Sequence, residues 1–90
     1  MGGVTKPSVG RIVHYKSRGS ADGKFPSVAR AAIITDVRQG EQTQHEEDGK
    51  VVYIDHYEVK VTVFNPEGMF FTDWLEQGDA PGNWNWPPMV

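Results

Sequence analysis

The stretch Val51–Phe64 (VVYIDHYEVKVTVF) constrains this chain more than any other. Tyr57, Val59, Val61 and Val63 fall on one face, and Glu58, Lys60 and Thr62 on the other. A two-residue period of this kind is what a half-buried strand produces. At about 3.4 Å per residue the stretch outruns an ordinary strand. Its apolar register breaks at Asp55–His56, which predicts a bulge or bend there.

The rest of the chain conforms to the same class. No window shows a sustained 3.6-residue apolar period, and ten glycines and six prolines punctuate the sequence. Short β-branched runs bounded by turn residues are the all-β pattern. Val9–Lys16 (VGRIVHYK) reads as a first strand, with Val9, Arg11, Val13 and Tyr15 on one face and Ile12 and His14 on the other. Ser17–Ser27 reads as a loop, in which Phe25, held extended by Pro26, is expected to fold back as a plug.

Val28–Arg38 (VARAAIITDVR) reads as a second strand; its Ile33-Ile34-Thr35 run opposes a helix. Strict alternation places Ala29, Ala31, Ile33, Thr35 and Val37 on one face. Gln39–Lys50 is polar and acidic and reads as a solvated hairpin loop closed by the turn dipeptide Asp48–Gly49. Asn65–Gly68 (NPEG) suits a tight turn, after which Met69–Leu75 pairs back. Gly78–Val90 is too rich in Pro and Gly for a regular element, and its two tryptophans predict a tail wrapped onto the body. The expected fold is all-β: a meander of about four or five strands curled into an SH3-like or other small barrel, with the Pro/Trp-rich tail packed on it. Residues 1–8 form a flexible lead-in and 9–90 a single β domain.

Composition narrows the function classes. Ninety residues permit one small domain with a thin stability margin. The absence of cysteine removes disulfides and thiolate chemistry. A net charge of −3 opposes general nucleic-acid binding. No apolar run suits a membrane span and no secretory signal is visible, so a soluble, cytoplasmic protein is expected.

The three histidines, His14, His45 and His56, have no nucleophile at motif spacing, and G-x-S-x-G, H-E-x-x-H and C-x-x-C are absent. A metal site built from His45, Glu46, Glu47 and Asp48 lacks a supporting pattern. A non-enzyme without metal or cofactor is therefore expected. Arg18–Lys24 (RGSADGK) has the glycines, hydroxyl and cations of an anion cradle but not Walker spacing; an ordinary loop is the simpler reading. Cations concentrate in the first third of the chain, away from the acids of 41–48, which suits a small anionic ligand better than a long polyanion. Trp84 and Trp86 alternate with Asn83 and Asn85, so a strand would send both indoles to one side. They read equally as a base-stacking surface or as a lid on the core.

Four ordered blocks, Gly10–Tyr15 (GRIVHY), Arg30–Thr35 (RAAIIT), Val63–Phe71 (VFNPEGMFF) and Ala80–Pro87 (APGNWNWP), span nearly the whole chain. Together they resemble a group of small, mostly uncharacterised proteins encoded by tailed bacteriophages, especially those of actinobacteria. The family tail tends to read G-T-W-H-W-P. Asn83 and Asn85 replace its Thr and His here, so no role for a tail histidine carries over.

By analogy with other small phage proteins, the resemblance implies a virion part, an inhibitor of a host protein, or a "sponge" that sequesters a nucleotide immune signal in the host cytoplasm. For the sponge, Arg11, His14 and Arg30 are expected to hold phosphate or ribose, and Tyr15, Trp84 and Trp86 to stack on bases. A pocket shared in a homo-oligomer would offset the small core. The alternative is a virion-associated or host-protein-binding interaction module. A deep cationic pocket separates the first reading from the flat apolar patch of the second.

Overall fold

The computed structural model describes residues 6–88. The chain is all-β: β1 (Ile12–Lys16), β2 (Ala29–Glu47), β3 (Lys50–Asn65), β4 (Gly68–Phe71) and β5 (Trp84–Asn85). They form one antiparallel sheet in the order β4-β3-β2-β1-β5. The sheet is not closed into a barrel. After β4 the chain loops out and re-pairs with β3, the Leu75 and Val59 amides and carbonyls exchanging bonds of 2.8 and 3.1 Å. Gly78 N–H then donates to Trp84 O (2.9 Å), and Trp84 N–H to Glu76 O (3.1 Å). One isolated parallel bridge, Gln77 to Trp84, thus ties the two ends of the strand order together. The prolines and glycines around Gly78–Gly82 prevent that bridge from growing into a ladder.

The inner face of the curl holds the core: Val13 and Tyr15 of β1, Ala32 and Ile34 of β2, Val59, Val61 and Val63 of β3, and Trp84. Val37, Leu75 and Trp86 pack against it. The tail therefore closes the core, as expected, and contributes its largest fully buried side chain, Trp84.

Strict alternation fails twice in β2. The register advances two residues from Ile34 to Asp36 while β3 advances one, so Thr35 is a bulge. The bulge carries Val37, rather than Arg38, onto the inner face after Ile34. A second shift lies between Gln39 and Gln42, opposite His56. The irregularity expected near Asp55–His56 is at that level of the hairpin, but the extra residue belongs to β2.

The largest departure from expectation is Gln39–Lys50. It is not a loop: β2 runs to Glu47, and Asp48 and Gly49 alone turn the chain, with φ of 52° and 76°. Two consecutive positive φ values define a type I′ turn, whose twist suits strands on both sides. A two-residue loop forces pairing from Glu47↔Lys50 inward, and polar side chains do not prevent it in a ribbon with both faces in water. Every residue from Glu41 to Tyr53 is exposed, so this segment is an arm projecting from the body. The longest dimension is 51 Å, and the radius of gyration, 15.0 Å, exceeds the roughly 12 Å of a compact domain of this length.

Two smaller expectations change. Phe25 is not a plug but two-thirds exposed. Its N–H donates to Ser20 Oγ and its carbonyl accepts from Ser20 N, both at 2.8 Å, which holds the ring outward. Of the lead-in, residues 1–5 lie outside the described residues. Pro7 is fully buried, and the Lys6 ammonium lies 5.7 Å from the centre of the Tyr57 ring, so 6–8 is anchored.

Candidate functional site

The six residues singled out from the sequence divide between packing and surface. Trp84, Tyr15 and Arg30 form one row across the inner face, since Tyr15 pairs with both Trp84 and Arg30. Trp84 is fully buried, and its Nε1–H has no hydrogen-bond partner among the described residues. Tyr15 is buried, edge-on to Phe70 with centroids 5.7 Å apart. Trp86 packs edge-to-face on Trp84 at 5.4 Å, and the Arg11 guanidinium lies 4.9 Å from the Trp86 ring centre. Alternation sends His14 to the opposite face, where it shares a cleft of about 210 Å3 with Lys16, Asn83, Asn85 and Trp86. Arg30 lines a separate shallow cleft with the β3–β4 turn. The indoles do lie on one side, but as core rather than as a stacking platform.

The anion cradle suggested by Arg18–Lys24 is occupied by its own carboxylate. Ser20 Oγ–H donates to Asp22 at 2.6 Å and Lys24 N–H at 3.0 Å. The Ser20 bond first, and the Lys24 amide second, hold the Asp22 carboxyl below its usual range. The Ser20 hydroxyl and the Lys24 amide are thus already engaged.

At the base of the arm lies a cleft of about 730 Å3, with Arg38, Thr43, His56, Tyr57, Glu58 and Glu76 among its walls. Two of its polar pairs are cross-strand contacts of β2 with β3. Arg38 Nε donates to Glu58 at 2.7 Å, and the same guanidinium lies 4.3 Å from the Trp74 ring centre, with Lys60 at 5.0 Å. His56 Nε2 and Thr43 Oγ1 are 3.0 Å apart. Among the described residues no three His, Cys, Asp or Glu groups could together hold a metal ion.

The most unusual surface was not singled out from the sequence. On the outer face, Ile12, Ile33, Thr62 and Phe71 form one register row, and His14, Ala31, Phe64 and Met69 the next. Phe71 is 77% exposed, Ile12 and Met69 63% and Phe64 42%. Single exposed apolar residues are ordinary; a set spread across four neighbouring strands is not. The signal available was the second apolar alternation, Ile12 on β1 with Phe64 and Phe71 flanking the Asn65–Gly68 turn. It was masked because Glu58 and Lys60 make the same face of β3 look polar.

No family model, curated protein or solved structure matches this chain. Among the described residues no helix is long and apolar enough to cross a membrane.

Proposed function

We propose that this chain is a non-enzymatic, phage-type protein-docking module whose contact surface is the outer face of its sheet. The observation that carries this reading is the apolar set Ile12, Ile33, Phe64, Met69 and Phe71, presented on ordered strands rather than on a loop. Rigid presentation lowers the ordering cost of association, and aromatic anchors dominate interface energies. Nucleotide sequestration is the less supported reading. It draws its stacking groups from Trp84, sealed in the core, and from Trp86, packed on Trp84 beneath a guanidinium. Nucleotide second messengers are expected to leave the melting temperature unchanged; a large, selective rise would restore that reading.

Site-specific photo-crosslinking in the producing cell tests the docking role. A photoreactive residue at Phe71 or Ile12 should give a discrete protein adduct, and one at exposed Asp79 should not. Phe64→Glu with Phe71→Glu should abolish the Ile12 adduct. Because both side chains lie outside the core, the melting temperature should move by no more than about 5 °C, equivalent to roughly 1 kcal/mol. Adducts of equal yield from all three positions, or none from Phe71 and Ile12, would sink the assignment.

A further inference from the structure

The long axis of the molecule is also an axis of charge. Along residues 6–30, Lys6, Arg11, Lys16, Arg18, Lys24 and Arg30 face Asp22 as the one acid. Lys16 pairs with Ala29 at the end of the sheet that the Ser17–Val28 loop caps, so Lys16, Arg18, Lys24 and Arg30 gather there, outnumbering the carboxylates at that end: Asp22, Glu67 beside Arg30 and Asp79 beside Lys16. The other end of β2 is the arm, whose tip carries Glu46, Glu47 and Asp48 against Lys50. β2 spends about half its length in the body and half in the arm, so the two halves match in span.

The arm is also apolar where it need not be. Unbroken alternation along β3 puts Val52 and Ile54 on the outer-face side of the arm, separated from Phe64 by His56, Glu58, Lys60 and Thr62, and puts Val51 and Tyr53 on the other side. An isolated two-stranded ribbon is marginal in water, and each arm strand has one unpaired edge. The chain exposes 6665 Å2, against about 5300 Å2 for a compact monomer of its mass. That surplus exceeds the roughly 800 Å2 each partner contributes to a stable interface.

We propose that the occupant of the outer face is a second copy of this chain, docked antiparallel about a two-fold axis so that each arm lies on the other's body. This rests on the docking role assigned to that face above and names its partner. Val52 and Ile54 of one copy then cover Ile12, Ile33, Phe64 and Phe71 of the other. Glu46, Glu47 and Asp48 meet Lys16, Arg18 and Lys24 of the second copy. A two-fold arrangement makes both contacts twice and closes, leaving no free end to propagate.

Sedimentation equilibrium of the purified chain tests this. At low salt the mass should be twice 10.1 kDa. In about 1 M salt, where charges are screened beyond about 3 Å, dissociation should rise at least about tenfold. Glu46→Lys with Glu47→Lys should be monomeric, and so should Lys16→Glu with Lys24→Glu. Mixed, the two variants should form a heterodimer, because the reversed arm of one meets the reversed body of the other while the second contact keeps both native charges; misfolded variants would not be rescued. A wild-type chain that stays monomeric through the micromolar range, or an arm variant that still dimerises, overturns the proposal. If the chain is monomeric yet Phe71 crosslinks to a different protein, the two-fold docking fails and the docking role stands. Absence of any adduct at Phe71 removes both.

Discussion

Trp84→Ala is expected to remove most of the chain's stability at room temperature, leaving about 0–2 kcal/mol. Trp84 is the largest fully buried side chain and sits where β5, β1 and the Glu76–Gly78 bridge converge. Truncating a buried Trp to Ala costs about 3–5 kcal/mol. A ninety-residue domain has a total stability of roughly 5–13 kcal/mol, and this one is at the lower end because its arm adds length without core. Trp84→Phe should cost less than half as much. It keeps an aromatic ring in the core and removes the Nε1–H, a buried donor that has no partner to lose. Trp74→Ala is the control. That indole is only half-buried beneath Arg38 and Lys60, and its loss should cost about 1 kcal/mol. Urea unfolding of the three variants, followed by far-UV circular dichroism, reads the order directly. A Trp84→Ala variant with near-wild-type stability would mean that the tail is a detachable lid rather than part of the core.

That result bears on what the residues themselves disclosed. The alternation in β3 identified its inner face residue by residue, because Val59, Val61 and Val63 have no competing explanation. The side-by-side indoles were equally legible, since alternation alone puts Trp84 and Trp86 together. Their role was not, because stacking on a ligand and plugging a core demand the same residue types. The choice depends on whether inner-face volume is left unfilled. With Ala32 opposite Val13, the inner face is short of volume, and Trp84 fills it.

The β2 half of the arm, Gln39–Glu47, was illegible for a different reason. Strand signals come from half-burial, and a ribbon with both faces in water need not carry them. Its one firm signal was Asp48–Gly49, since a type I′ turn demands strands starting on either side. The β2 bulge at Thr35 left no mark at all, and it decides which of Val37 and Arg38 enters the core.

Gly19→Ala should cost about 2–4 kcal/mol, and Gly23→Ala, four residues on in the same loop, about 1–2 kcal/mol. Both glycines have left-handed backbones, φ +68° and +75°, so the conformational penalty is shared. They differ in surroundings. A Cβ on Gly19 would lie 2.8 Å from the Phe25 carbonyl oxygen and 3.0 Å from the Ser27 nitrogen, whereas one on Gly23 meets nothing within 4 Å. Those obstructing atoms are backbone and cannot rotate aside. They are also tied down. Ser17 N–H donates to Val28 O and Val28 N–H to Ser17 Oγ, both at 2.9 Å, and Ser27 Oγ–H donates to Ser17 O. Relief therefore requires opening the loop where it closes β1 onto β2. Urea titration of the two variants measures the difference; equal costs would show that the loop is not held against Gly19. The same substitution reaches the assembly. Arg18 and Lys24 ride on this loop, so Gly19→Ala should also weaken two-fold docking at low salt, while Gly23→Ala, whose strain is local and exposed, should leave it within about twofold. Weakened association in the first variant alone would connect the shape of one loop to the charge at the end of the sheet.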